Sequence, residues 1–166
     1  MGRTGTLWAH TLAGIRPDMM ALAKPLAGGM PIGAIVLGQH VADAIQPGEH
    51  GTTFGGGPLI TAVANVVLRR IGDPAFLERV REVSDYFDEA LHDFAASHAD
   101  KVRELRGRGL MRGLQLSGPA APVRARGHDA GLLIATAGED VLRMLPPLIV
   151  QPAQIDEALA LLHEVL

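Results

Sequence analysis

Lys24 lies in "ALAKPLAGGMPIGA", residues 21–34, the one charge in a run of small and apolar residues. Burial among such neighbours strips hydration from the charged form of an amine and lowers its pKa. A neutral lysine amine is a nucleophile toward carbonyls and forms Schiff bases. The glycines that follow, Gly28 and Gly29 among them, would let a ring and a phosphate come close to the backbone. The competing reading is a surface lysine at a strand end. A second segment, "HGTTFGGG" at 50–57, offers the hydroxyls of Thr52 and Thr53 and several free backbone N–H groups, a set that suits a phosphate. A helix start directly after it adds a favourable dipole, although a Gly/Thr loop is also what a plain connector looks like. The G-x-x-x-x-G-K-[ST] pattern of nucleotide-binding loops is missing. A third candidate is Arg143, set between Val141, Leu142, Met144 and Leu145 on what reads as a buried strand. A buried guanidinium needs an anion, and a carboxylate matches its fork geometry. Spacing alone gives equal weight to an internal ion pair with Glu139, Asp140 or Asp156.

Other chemistry-bearing residues form no pattern. "RGRGLMRG" at 106–113 does not have the G-x-G-x-x-G spacing and does not lead from strand into helix, so it reads as a structural turn. The 7 histidines are scattered, with no H-E-x-x-H, and no metal site is proposed. Ser84, Ser97 and Ser117 lack a nucleophile elbow. The carboxylates of "DYFDEALHDF" fit a solvated helix face.

The elements that must position these residues follow from the pattern. "DMMALA" (18–23) and "GAIVLG" (33–38) read as buried strands of an α/β sheet with the lysine turn between them. "QHVADAI" (39–45) reads as a short helix. Pro58 suits the first turn of a helix running to about Ile71, apolar on nearly all sides and therefore expected to be buried. Asp73 is the expected N-cap of the next helix, with Pro74 at its first position. Residues 75–97 then place Phe76, Leu77, Val80, Val83, Phe87, Leu91 and Phe94 on one helical face. "KVRELRGRGLMRGLQL" reads as two strands around a glycine turn and "VRARGHDA" as a helix closed by Gly131. "LLIATA" and "VLRMLPPLIV" read as strands, and "QIDEALALLHEVL" as a terminal helix.

Composition narrows the function classes. Hydrophobic residues make up 48% of the 166 and aromatics only 4%, so the core is aliphatic and no stacking platform for single-stranded nucleic acid is available. Lys+Arg 15 against Asp+Glu 18 gives a net charge of -3, without the basic face that nucleic acid requires. The absence of cysteine removes disulfides and thiolate chemistry and fits a reducing cytoplasm. No signal peptide is visible, and the longest weakly polar run is too short to span a bilayer.

Four segments taken together, "MGRTGTLWAH" with "IRPDMMALAKPLAGGMPIGA", "GEHGTTFGGGP", "LRGRGLMRGLQL" and "AGEDVLRMLPPLIV", resemble the class III aminotransferases that use pyridoxal 5'-phosphate, most closely their acetylornithine branch. The resemblance covers almost the whole chain. It implies the C-terminal part of a type I transferase fold, α/β in class: residues 1–72 the end of the large cofactor-binding domain, residues 73–166 the small domain. It implies that Lys24 forms the Schiff base with the cofactor and shuttles the proton. It also implies that Thr53 binds the cofactor phosphate of the neighbouring subunit in a homodimer and that Arg143 grips the substrate α-carboxylate. The implied reaction moves an amino group from N-acetylornithine to 2-oxoglutarate in arginine biosynthesis, in the cytoplasm. Ornithine or succinylornithine are the alternative donors, and a non-catalytic interaction module built on the small domain is the alternative class. Because the family's D-E-x-x-x-G segment would precede Met1, the expectation for the chain alone is self-association and little turnover.

Overall fold

The structure, a computed structural model, describes residues 1–166. It divides into two compact units. The first comprises Met1–Gly2 and Thr6–Leu77, the second Arg3–Gly5 and Glu78–Leu166. The division falls in the first turn of a long helix, just past the Gly72–Asp73 break.

In the first unit, β1 (Met19–Leu22) pairs antiparallel with β2 (Ala34–Leu37), Met19 opposite Leu37 and Leu22 opposite Ala34. A short helix, α1 (Gln39–Ala42), follows, and then α2 (Pro58–Ile71). Leu26, Ala27 and Ala64 form a buried centre against which Leu22, Ile32, Ala34, Ile60, Val63 and Leu68 pack. Two expectations are corrected here. The strands are not buried: Met19 is 62% and Ile35 64% exposed, because a two-stranded ribbon packs only the face that meets this small centre. Nor is α2 buried all round, since only Ala64 and Ile71 are enclosed and Leu59 is 72% exposed. An apolar sequence says that a surface can be covered; the centre in this unit is large enough to cover one side.

The helix α3 (Pro74–Ser97) begins as the sequence dictates. Asp73 Oδ1 accepts the N–H of Ala75 at 2.9 Å, and Pro74 occupies the position where no N–H is needed. Within the second unit its buried stripe is Val80, Val83, Phe87, Leu91 and Phe94. The sheet of this unit has the order β3-β4-β6-β5, every pair antiparallel. Its strands are β3 (Val102–Arg108), β4 (Met111–Leu116), β5 (Ala135–Ala137) and β6 (Val141–Met144), with α4 (Ala120–Asp129) before β5 and α5 (Pro152–Val165) at the end. Leu114 and Leu142 are fully buried and opposite each other in register. The expected strand through residue 150 stops at Met144, because Pro146 and Pro147 cannot donate to a ladder. At the start of α5, Gln154 Oε1 accepts the N–H of Gln151 at 2.9 Å.

The first residues of the chain complete the second unit. Arg3 O accepts the N–H of Leu110 at 2.9 Å, and the Arg3 guanidinium donates to Leu110 O at 3.1 Å and Pro146 O at 2.7 Å. Burial lowers the Arg3 pKa from its ordinary value. Gly109, at φ +58, sits so near Arg3 O that a Cβ would stand 2.0 Å away, so the β3–β4 turn admits only glycine there. The reading of "RGRGLMRG" as a structural turn agrees with this hairpin. No helix is long and apolar enough to cross a membrane.

Candidate functional site

Lys24 opens a 3-10 turn, Lys24–Ala27, directly after β1. Leu26 N–H bonds to Ala23 O at 3.1 Å and Gly28 N–H to Pro25 O at 3.2 Å. Leu26 and Ala27 are 4% and 1% exposed, and they fasten the turn to α2. Lys24 itself has φ 46 and is the only non-glycine residue of the chain at positive φ. The residue before a proline is disfavoured in the right-handed helical region. A left-handed backbone costs an L-residue about 1–2 kcal/mol, and such strain persists where the surroundings over-determine it, often at functional sites.

The Lys24 side chain is exposed, which corrects the expectation of a buried amine. The apolar residues around it in sequence do not enclose it: the turn directs Leu26 and Ala27 inward and leaves Ala23, Lys24 and Pro25 facing outward. Its ammonium makes no hydrogen bond or ion pair within the chain. Past the turn, Gly28 (φ +63) and Gly29 (φ +104) carry the backbone away, with open space where a Cβ at Gly29 would stand.

The loop of residues 50–57 precedes α2. Thr52 Oγ1 accepts the N–H of Gly55 at 3.2 Å and is thereby committed to the loop's own shape. Thr53 is exposed and its hydroxyl has no partner. Gly57 is the N-cap of α2 and brings no side chain to cap it, so the first N–H groups of the helix have no side-chain acceptor. The loop therefore presents one free hydroxyl beside a helix N-terminus.

Arg143 lies in β6 of the second unit. Leu142 and Met144 are buried and Arg143 is exposed, the alternation of a strand with one solvated face. This corrects the reading of Arg143 as buried. The ion pair weighed for it with Glu139, Asp140 or Asp156 does not form either. Asp140 Oδ2 accepts Gln115 Nε2 at 2.8 Å, and Asp156 Oδ1 accepts the Tyr86 hydroxyl. Arg143 is left without an internal anion. No hydrogen bond or ion pair joins Lys24, Thr53 and Arg143 to one another; Lys24 and Thr53 belong to the first unit and Arg143 to the second.

Sequence reasoning missed the residues that hold the segment after Arg143. The Arg79 guanidinium donates to Leu148 O and Ile149 O at 3.1 Å each and to Val150 O at 2.8 Å. Arg3 takes Pro146 O, as above. Nothing in their local spacing announces this, since both act across long stretches of chain.

Comparisons with known proteins identify the family. The chain is 45% identical over 167 residues to the mitochondrial acetylornithine aminotransferase of Alnus glutinosa, covering 100% of this chain and 37% of that protein. It is 45% identical over 166 residues to the acetylornithine aminotransferase of Listeria monocytogenes, covering 100% of this chain and 43% of that one. The chain thus spans about two fifths of the length of the curated relatives it matches. Among solved structures it superposes on the N-acetylornithine aminotransferase from Stenotrophomonas maltophilia with a TM-score of 0.86 at 37% identity, over 99% of this chain and 43% of that one. The ornithine δ-aminotransferase of Plasmodium falciparum gives 0.89 at 29% identity, over 99% and 42%. The fold is that of the C-terminal part of a type I transferase. The model of the aminotransferase class-III family matches residues 1–166, and the chain belongs to that family.

Proposed function

We propose that this chain carries the lysine and arginine of a transaminase that moves an amino group from N-acetylornithine to 2-oxoglutarate, in arginine biosynthesis, within a cytoplasmic homodimer. Class III aminotransferases use pyridoxal 5'-phosphate, and the donor set here fits it: an unpartnered primary amine at Lys24, glycines that leave the backbone open beside it, and a free hydroxyl at Thr53 for a phosphate. When bound, the cofactor supplies an electron sink for the carbanion formed next to the donor nitrogen. Lys24 Nζ would be the amine that holds the cofactor and the base that moves the proton at the reacting carbons. Thr53 Oγ1 would donate to the phosphate of the neighbouring subunit's cofactor. Arg143 holds the α-carboxylate through a bidentate pair. Residues 1–72 are assigned to the end of the large cofactor-binding domain and 73–166 to the small domain. What supports N-acetylornithine as donor is the 45% identity to the acetylornithine aminotransferases of Alnus glutinosa and Listeria monocytogenes.

The observation that carries this reading is the positive φ of Lys24, in a turn fastened by Leu26 and Ala27. The test is titration of the chain with pyridoxal phosphate, borohydride reduction and peptide mapping. Label confined to Lys24, and lost in Lys24→Ala, is the expected result. Equal label on Lys101, the other lysine, would overturn it.

A further inference from the structure

The Arg143 side chain has no partner within the chain, so its direction is set by the backbone of β6 alone. That strand is short, Val141–Met144, and Arg143 is its last residue but one. The ladder that holds it to β4 pairs Gly113 with Arg143 and Arg112 with Met144, and there it ends. Continued by two residues, the same register sets Leu110 against Pro146. Pro146 has no N–H to give. The Leu110 carbonyl cannot turn to water instead, because Leu110 is wholly buried. Left to themselves, the two segments would meet at this rung as two carbonyls with no donor between them.

Arg3 supplies what the rung lacks. Its Nη1 donates to Leu110 O at 3.1 Å and to Pro146 O at 2.7 Å, one nitrogen serving a carbonyl on each side. Its own carbonyl accepts the Leu110 N–H at 2.9 Å. Both backbone groups of Leu110 are thus satisfied by a residue 107 positions away in sequence, within the same compact unit. The splice lies just past the end of β6, close behind Arg143.

We propose that Arg3 is a positioning residue for Arg143: by joining Leu110 O to Pro146 O it holds the end of the β4–β6 ladder closed and keeps the Arg143 guanidinium at the angle where its fork meets both oxygens of one carboxylate. This rests on the carboxylate reading of Arg143. A bidentate pair needs two parallel N–H···O bonds, so it is sensitive to the direction of the guanidinium. When the ladder frays from its open end, Met144 is released first and Arg143 next, and the pair falls to a single hydrogen bond. Arg79 is a different case. Its acceptors, the carbonyls of Leu148, Ile149 and Val150, lie beyond Pro146, and none belongs to β4. It fastens that segment to α3 and leaves the rung between β4 and β6 to Arg3.

The experiment follows the Arg143 Nε–Hε resonance of the full 166-residue chain while 2-oxoglutarate is added, with Arg143→Lys to assign the signal. Arg3→Met keeps the backbone bond to Leu110 and removes both side-chain bonds. It should weaken 2-oxoglutarate about tenfold, the loss of one charged hydrogen bond. Arg3→Lys, whose ammonium still donates to the carbonyls without the fixed fork, should weaken it about threefold, and it decides the matter if the methionine variant fails to fold in a thermal melt. Arg79→Met should stay within about twofold of the unsubstituted chain, which separates the placement of Arg143 from a general loss of stability. Undiminished binding in the folded Arg3 variants, or an equal loss in Arg79→Met, overturns the proposal while the reading of Arg143 stands. An unshifted Arg143 resonance in the unsubstituted chain defeats that reading and the proposal with it.

Discussion

The Arg79 guanidinium lies 2.8 Å from the carbonyl oxygen of Val150 and also reaches the carbonyls of Leu148 and Ile149. One cation on α3 is thus spent on three consecutive backbone dipoles, with no carboxylate among its partners. These carbonyls belong to the segment that leaves β6 after Arg143, where two prolines rule out a strand. Backbone groups without a ladder need another partner, and Arg79 supplies it.

Arg79→Met keeps most of the aliphatic stem and removes the three donors. The loss is expected to cost about 2 kcal/mol, because hydrogen bonds to charged groups contribute more than neutral ones and two of the carbonyls are partly shielded from water. Arg79→Lys should recover part of this with a single donor position. Urea unfolding of the three proteins measures it. A Met variant within about 0.5 kcal/mol of the original would mean that water replaces the guanidinium at no net cost.

Tyr86 on α3 donates its hydroxyl to Asp156 Oδ1 on α5 at 2.5 Å. That hydrogen bond, with smaller contributions from desolvation and the carboxylate charge, raises the Tyr86 pKa above 10.0. The sign of the linkage follows: the folded value lies above the unfolded one, so the contact contributes its full stabilisation below pH 10 and loses it as pH rises through the folded pKa. The sequence holds 1 tyrosine, so the phenolate absorbance reports Tyr86 alone. Its titration midpoint should exceed the ordinary value and fall back toward it in Asp156→Asn. A midpoint indifferent to that substitution would show that the contact does not persist in solution.

Legibility in the sequence depended on whether a signal was local. The start of α3 was readable because Asp73 and Pro74 each have one physical use there, and its buried stripe because Val80, Val83, Phe87, Leu91 and Phe94 recur at the helical period. Burial was not readable for β1, β2, α2 or Arg143. Apolar spacing reports which residues could be covered, whereas coverage depends on how large a centre the unit assembles, and Leu26, Ala27 and Ala64 make a small one. The backbone of Lys24 was beyond reach for a different reason: a lysine has no side-chain preference that marks a left-handed conformation. Pro25 restricts Lys24 without specifying where it goes. Arg3 and Arg79 act across the chain, so no window of sequence contains both donor and acceptor.

The strain at Lys24 sets stability against chemistry in a way that substitution can separate. Lys24→Ala removes the amine and keeps a Cβ at φ 46, so the left-handed penalty remains. Lys24→Gly removes the amine and the penalty together, while adding the entropy that glycine loses on folding. The difference should leave the glycine variant more stable than the alanine variant by about 0.5–1 kcal/mol, read as a later urea midpoint. Both variants should fail to form a borohydride-stable adduct with pyridoxal phosphate at position 24. A glycine variant that is no more stable than alanine would mean that the turn holds Lys24 without strain, and the positive φ would then lose its value as a marker of function.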